Sequence, residues 1–221
     1  MHPARGARLD GSHLILADPP WDLTVDNRKL TGRAPDGTIT GVPAPALNRK
    51  PPKSWTAPEP LSGWTPGTQW VVFNGEFQNP RPGANLRTLR TFDDLKLHIE
   101  YNCPAGGNSG VYLRGRYEVQ VEYEPPGKND AFHSMGSIYG FIPPAAEVRP
   151  RPGQWESYDI TLVGRTVTVI RDGVLIIDRA EIPGITGGAL DSRESAPGPI
   201  YLQGDHSGGL RYRNITISIP R

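Results

Sequence analysis

Polar side chains recur at every second position in "RGRYEVQVEYE", residues 114–124: Glu118, Gln120, Glu122 and Glu124. With a strand period of two they share one face, and Tyr117, Val119, Val121 and Tyr123 share the other. Two carboxylates on one face are the raw material of acid/base cleavage of a glycosidic bond. Glycosidases hold such a pair roughly 5–9.5 Å apart, depending on the stereochemical outcome. Positions i and i+4 of a flat strand have α-carbons roughly 13 Å apart. Glu118 and Glu122 therefore approach that range only if their side chains lean together. Between them Gln120 hydrogen-bonds but does not titrate. An ordinary strand with a wet, acidic face has the same pattern, and spacing alone leaves both readings standing. Within the row, Glu118 is the candidate acid or base, and Glu122 and Glu124 are expected to form a solvated edge.

Upstream, "PAGGNSGVYLRGRYE" delivers Asn108 and Ser109 from a Gly-rich turn into a strand carrying Tyr112 and Arg114. A tight turn at Gly115-Arg116 would set Arg114 opposite Glu118, where a guanidinium holds a carboxylate ionised and both can contact hydroxyls. A structural cross-strand ion pair has the same signature. Near the C-terminus, "LQGDHSGGLRYRN" crowds Gln203, Asp205 and His206 at the end of a strand. His206 is the histidine best placed for general acid/base work, because loops at strand ends carry function more often than strand interiors do. Asp205 and His206 are also cation ligands by type, but two adjacent ligands do not define a metal site. His98 falls mid-strand on a polar face. His133 lies in the loop "GKNDAFHSMGSIYG", and His2 and His13 read as tail residues. Among the aromatics suited to stacking on a pyranose ring (Trp64, Trp70, Trp155, Tyr112, Tyr139 and Tyr201), Tyr139, between two glycine turns, is best placed to face a ligand.

The elements that position these groups are strands. The chain of 221 residues carries 26 Gly and 24 Pro, which suits many short strands and turns rather than long helices. "DLKLHIEYN" puts Leu95, Leu97, Ile99 and Tyr101 on one face and Lys96, His98 and Glu100 on the other. "SYDITLVG", "RTVTVIRDGVLIIDRAEI", "GPIYLQGD" and "GGLRYRNITISIP" follow, and Asp172-Gly173 is a strong hairpin signal. The pattern predicts an all-β fold, a two-sheet antiparallel sandwich or jelly roll. Residues 61–221 form the expected compact domain. Residues 1–60 read as an extension with one hairpin turning at Asp36-Gly37, then a Pro-rich, loosely packed connector; they are a partner strand pair or the remnant of a preceding domain.

A net charge of +1 gives no global field for nucleic acid. No apolar run is long enough to span a bilayer. The N-terminal "LILA" is too short for a signal-peptide core, so no signal peptide is expected in this chain. The single Cys103 excludes an intrachain disulfide and a cysteine metal cluster. No nucleophile elbow, phosphate-binding loop, dinucleotide fingerprint or zinc-protease motif is present.

In order, "LSGW", "NLRTLRTFDDLKLHIEY", "GGNSGVYLRGRYEVQV", "GSIYG", "PGQWESYDI" and "LQGDHSGGLRYRNITI" resemble the 3-keto-disaccharide hydrolase domain family over about Leu61 to Ile219. The combination of Asn-Ser-Gly, Glu-x-Gln and Arg-Asn-Ile is specific, though each element is weak alone. One departure is Trp155-Glu156 where the family has Trp-Asn; another is the short segment between Trp64 and Trp70. The resemblance implies a concanavalin A-like jelly roll with a sugar groove on its concave face. It implies a carbohydrate substrate already oxidised to a ketone at C3, and export to the periplasm or beyond the cell. A C3 ketone acidifies the hydrogen at C2. One base, one acid for the leaving oxygen and donors to the enolate oxygen then suffice for elimination across C1–C2. Glu118 and His206 are the expected base and acid, in either order, and Asn108, Arg114, Gln120, Tyr139 and Gln203 the expected substrate-binding residues. No cofactor is required by this route, although a divalent cation such as calcium at the ketone would do the same electrostatic work. A non-catalytic carbohydrate-binding module of the same fold and a glucanase on unoxidised β-glucan are the alternatives. Gln120, in place of a central aspartate, counts against the glucanase.

Overall fold

The computed structural model describes residues 8–10, 12–17, 20–27, 29–34, 37–41, 46–47, 49–65, 67–123, 130–206 and 208–221. The chain divides into two compact units, Met1–Ala46 and Leu47–Arg221.

The first unit is an antiparallel meander of β1 (Arg8–Asp10), β2 (His13–Ala17), β3 (Pro20–Asp26), β4 (Lys29–Ala34) and β5 (Gly37–Gly41), hydrogen-bonded in chain order. The hairpin expected near Gly37 is present, with Ala34 paired to Gly37; Asp36 lies outside the described residues. The three preceding strands leave little mark on the sequence, because each is short and carries few β-branched residues. His13, expected in a tail, lies in β2 within 3.4 Å of Asp22. His2 lies outside the described residues.

The second unit begins at Leu47, earlier than the Leu61 suggested by composition. Its lead-in is tied down by the last strand: Thr56 N–H donates to the Ile219 carbonyl at 2.9 Å, and Ile219 N–H to Thr56 Oγ1 at 3.1 Å. Twelve strands follow: β6 (Glu59–Pro60), β7 (Val71–Phe73), β8 (Glu76–Asn79), β9 (Leu86–Arg87), β10 (Leu95–Asn102), β11 (Asn108–Leu113), β12 (Tyr117–Glu122), β13 (Trp155–Val163), β14 (Thr166–Arg171), β15 (Val174–Glu181), β16 (Tyr201–Leu202) and β17 (Leu210–Ser218). The helical structure among the described residues is one 3-10 turn, Ala131–His133. None of it is long and apolar enough to cross a membrane.

These strands make the expected two-sheet antiparallel sandwich. The larger sheet runs β15-β14-β13-β10-β17-β8-β7, with β6 also on β17; the smaller runs β12-β11-β16-β9. Alternation decides what lies between them. Leu95, Leu97, Ile99 and Tyr101 of β10 are fully buried, as are Tyr158 and Leu162 of β13 and Val167 and Val169 of β14. They join Val111, Leu113, Tyr117, Val119, Val121 and Leu202 of the smaller sheet in one core. Each such side chain contributes about 1.5–3 kcal/mol by leaving water. In β17 the inward residues change from Tyr212 to Ile215 and Ile217, a step of three. A register shift at Asn214, whose φ is +49°, absorbs the extra residue as a bulge and keeps the apolar face inward.

Two tight turns set the register of the sheets. The β14–β15 turn, Asp172-Gly173, has both central residues at positive φ, the primed geometry that Asp-Gly favours. The β11–β12 turn is centred on Arg114 (φ +52°) and Gly115 (φ +66°), and the Arg116 N–H closes onto the Leu113 carbonyl at 3.0 Å. The turn thus starts one residue earlier than Gly115-Arg116. Tyr112, not Arg114, pairs with Glu118.

Glu156, the departure from the family pattern, points into the end of the sandwich. It is 2 % exposed and receives two hydrogen bonds from Arg171, at 2.6 and 3.1 Å; the Tyr123 hydroxyl also donates to it. A carboxylate buried there is compensated by a guanidinium held on the neighbouring strand.

Candidate active site

The outer face of the smaller sheet carries a polar ladder in register across three strands. Glu118 (β12) stands beside Tyr112 (β11), which stands beside Tyr201 (β16). Two residues along, Gln120 pairs with Gly110, whose carbonyl accepts from the N–H of Gln203 at 2.9 Å. Two further along, Glu122 pairs with Asn108. The same period-two pattern that sends Val111 and Val119 into the core places all these residues on the opposite face.

The Tyr112 and Tyr201 rings stack, with centroids 3.9 Å apart. A loop after β15 comes down on them: Gly187 and Gly188 offer carbonyls to the hydroxyls of Tyr112 (2.8 Å) and Tyr201 (2.5 Å). Gly188 has φ +74°, and a β-carbon on it would lie 2.5 Å from the Tyr112 hydroxyl, so a glycine is required for this approach. Thr186 fixes the same loop to β12 by accepting from the Glu118 N–H at 3.0 Å.

Glu118 is 3 % exposed, and its carboxyl lies over Gly110. Its Oε2 is 2.7 Å from the Tyr112 hydroxyl. That hydroxyl has one hydrogen and two acceptors in reach, Glu118 and the Gly187 carbonyl. Toward an ionised Glu118 the hydroxyl donates its hydrogen to Oε2, and toward a neutral Glu118 it is free to donate to the Gly187 carbonyl instead. Burial pushes the Glu118 pKa up to about 8; the Tyr112 hydrogen bond opposes the rise, and the charges of Glu122 and Asp205 add to it. Burial outweighs the Tyr112 hydrogen bond, so the carboxyl is mostly neutral at pH 7.

Glu122 is not the solvated edge expected of it. It is 5 % exposed and accepts from the amides of Asn108 at 2.9 Å and Gln120 at 2.5 Å. Gln120 therefore spends its Nε2 on Glu122 and turns its carbonyl Oε1 elsewhere, buried and without a partner among the described residues; the Oε1 of Gln203 is in the same condition. Glu124 lies outside the described residues.

His206 is exposed, on the loop that follows β16. Its Nδ1 lies 2.8 Å from Asp205 Oδ1. A carboxylate only accepts, so Nδ1 carries the hydrogen, and in the neutral form of the ring Nε2 is the nitrogen with the lone pair. Asp205 bonds His206, and its charge adds to the rise of the Glu118 pKa. Tyr139 sits at the near edge of the ladder. Its N–H donates to the Glu118 carbonyl at 3.1 Å, and its ring meets that of His133 edge-on at 4.6 Å.

Arg114 is elsewhere. It is fully buried, donates to Asp93 at 2.8 Å and to the Tyr117 hydroxyl at 3.0 Å, and Tyr117 in turn donates to Glu194 at 2.7 Å. The turn register carries it off the ladder into a structural network, so it does not touch Glu118. The fold thus sets Glu118, Gln120, Asn108 and Gln203 on one face, with Tyr139 at the edge, and places His206 on the exposed loop that follows β16. Sequence reading missed the Tyr112 bond to Glu118, the part of Glu122, and Gly110 and Gly188 as close-approach sites. Pairing Tyr112 with Glu118 needed only the turn shifted by one residue. Among the described residues no group of three or more His, Cys, Asp or Glu side chains is arranged to hold a metal ion. Chemically, the ladder offers a buried acid, and the loop after β16 offers an exposed imidazole.

Residues 59–218 match the family described as the 3-keto-alpha-glucoside-1,2-lyase-like domain. Among solved structures, the chain is similar to a provisionally assigned glycosyl hydrolase of Parabacteroides distasonis ATCC 8503, at 32 % identity and a TM-score of 0.60, covering 74 % of this chain and 80 % of that one. A second such protein of the same organism shares the fold at 21 % identity and a TM-score of 0.59, covering 75 % and 98 %. No curated protein matches.

Proposed function

Because the chain belongs to the 3-keto-alpha-glucoside-1,2-lyase-like domain family, we propose that it cleaves the glycosidic bond of 3-keto-glycosides by elimination across C1–C2. His206 Nε2, with Nδ1 held by Asp205, removes the hydrogen at C2, which the neighbouring ketone acidifies. The electron pair moves into an enolate, and the C1–O bond breaks. Glu118 gives its proton to the departing oxygen. Water added to the resulting double bond gives net hydrolysis.

The observation that carries this reading is the buried Glu118 carboxyl, kept neutral beside Tyr112 with a pKa of about 8. A general acid must hold its proton at working pH. The pair of free carboxylates that an ordinary glycosidase needs is not supported here, since Glu122 is occupied by two amides.

The test is turnover of a 3-keto-glucoside beside its unoxidised parent. Activity on the ketone alone, lost in Glu118→Gln and His206→Ala, is the expected result. Activity on both substrates makes the protein an ordinary glucosidase, and binding without turnover makes it a carbohydrate-binding module. Wild-type rates in both folded variants remove these two residues from the mechanism.

A further inference from the structure

Two buried amide oxygens in the ladder have no partner among the described residues: Oε1 of Gln120 and Oε1 of Gln203. The residues are 1 % and 8 % exposed, so bulk water does not satisfy them. Native proteins rarely leave such groups unpaired, and the exceptions call for an occupant or a function. Their placement is not random. Gln120 and Gln203 flank Gly110 on either side, one strand away each, on the same face. The missing side chain at Gly110 leaves the space that the Glu118 carboxyl enters. The two residues that carry the orphaned oxygens thus stand on either side of the glycine over which the proposed acid lies.

The orientation of Gln120 is fixed. Its Nε2 donates to Glu122, and flipping the amide would set an oxygen against a carboxylate. What faces away is an acceptor. A ketone oxygen, itself only an acceptor, gains nothing from such a group, whereas a hydroxyl does.

We propose that Gln120 and Gln203 are a paired acceptor site for hydroxyl groups of the sugar that carries the scissile bond, and that they select glycones on which those hydroxyls are intact. The inference rests on the 3-keto-glycoside reading and deepens it: these amides bind hydroxyls of the ketone-bearing sugar and leave the ketone to other groups. A deoxy sugar entering the row leaves a buried carbonyl unpaired, the situation in which binding sites discriminate most strongly.

The test crosses substrate and protein changes. A 3-keto-glucoside and its 4-deoxy and 6-deoxy analogues are assayed with wild type and Gln203→Met, which keeps length and removes the acceptor. Wild type is expected to lose about 10- to 100-fold in kcat/KM on at least one deoxy analogue. Gln203→Met is expected to lose a similar factor on the parent sugar and to show less than about 3-fold further loss on that analogue. Its melting temperature should hold or rise, since an unpaired polar atom has been removed from the interior. Additive losses on every analogue, or no discrimination by wild type, overturn the proposal. So does a lower melting temperature with unchanged selectivity, which would make Gln203 a structural residue satisfied by internal water. If wild type turns over no 3-keto-glycoside, the proposed reaction fails separately. Calorimetric titration with the unoxidised glucoside and its deoxy analogues then decides: the same non-additivity in Kd supports the acceptor pair, and its absence overturns it.

Discussion

The carboxyl of Glu118 occupies the place where Gly110 would carry a side chain: a β-carbon there would lie 2.1 Å from Oε1. The two residues sit on adjacent strands, and the absence of one side chain is the condition for the position of the other. Gly110→Ala should therefore expel the carboxyl while the sandwich stays folded. The displaced atom ends a flexible side chain, so the stability cost should stay within about 1–3 kcal/mol, while turnover falls to the level of Glu118→Gln. An alanine variant with wild-type kcat would show that the carboxyl is not needed where the structure places it.

Tyr112 supplies the hydrogen bond that holds the Glu118 pKa down against burial. In Tyr112→Phe that restraint is gone, and the pKa should climb beyond about 8. If the reaction needs Glu118 protonated, activity falls on the alkaline side as the acid ionises, and the variant's alkaline limb moves to higher pH. The pH profile of kcat/KM measures this. A limb that stays in place, or moves down, contradicts the assignment of Glu118 as the acid.

Linkage makes the same group visible in stability. The folded pKa of Glu118, about 8, is above its ordinary value of 4.5. The folded state therefore holds a proton that the unfolded chain has already released between these values. The contribution of this group to stability is fully present below pH 4.5 and is lost as pH rises through about 8. Glu118→Gln, neutral at all pH, should differ least from wild type near pH 4. It should gain on wild type progressively up to pH 8, by roughly 3–5 kcal/mol at about 1.4 kcal/mol per pKa unit. Urea unfolding at three or four pH values is the measurement, and a constant difference across the range would refute the shift.

Arg114 should behave as a structural residue. Its guanidinium is fully buried against Asp93 and the Tyr117 hydroxyl. Removing one member of such a buried network costs about 3–5 kcal/mol. Arg114→Ala should thus lower the unfolding midpoint markedly and leave KM and the pH profile of the surviving folded protein unchanged. A large KM change with little loss of stability would return Arg114 to the substrate site.

The period of two was legible throughout the second unit, because burial on one face and solvent or ligand on the other imprints alternation on every strand. Leu95, Leu97, Ile99 and Tyr101 are inward as their pattern required, and the Asp172-Gly173 hairpin formed where its residues favour positive φ. Alternation alone also put Glu118, Gln120 and Glu122 on one face. It was less informative in residues 8–41, where five short strands pair with one another and little apolar pattern marks them.

What alternation does not contain is register and depth. A hairpin beginning one residue earlier, at Arg114-Gly115, exchanged Arg114 for Tyr112 as the neighbour of Glu118 and so exchanged a charge partner for a hydroxyl. Depth came from loops distant in sequence. Thr186 to Gly188 and Asp205 act on Glu118 only because the sandwich brings the ends of β15 and β16 over the same face. The side-chain types that can do chemistry, and the face they share, are local properties of the chain, fixed by the pleat of one strand. Whether Glu118 is an ionised surface group or a buried acid depends on long-range packing and on which strand stands beside it, and only the tertiary structure decides that.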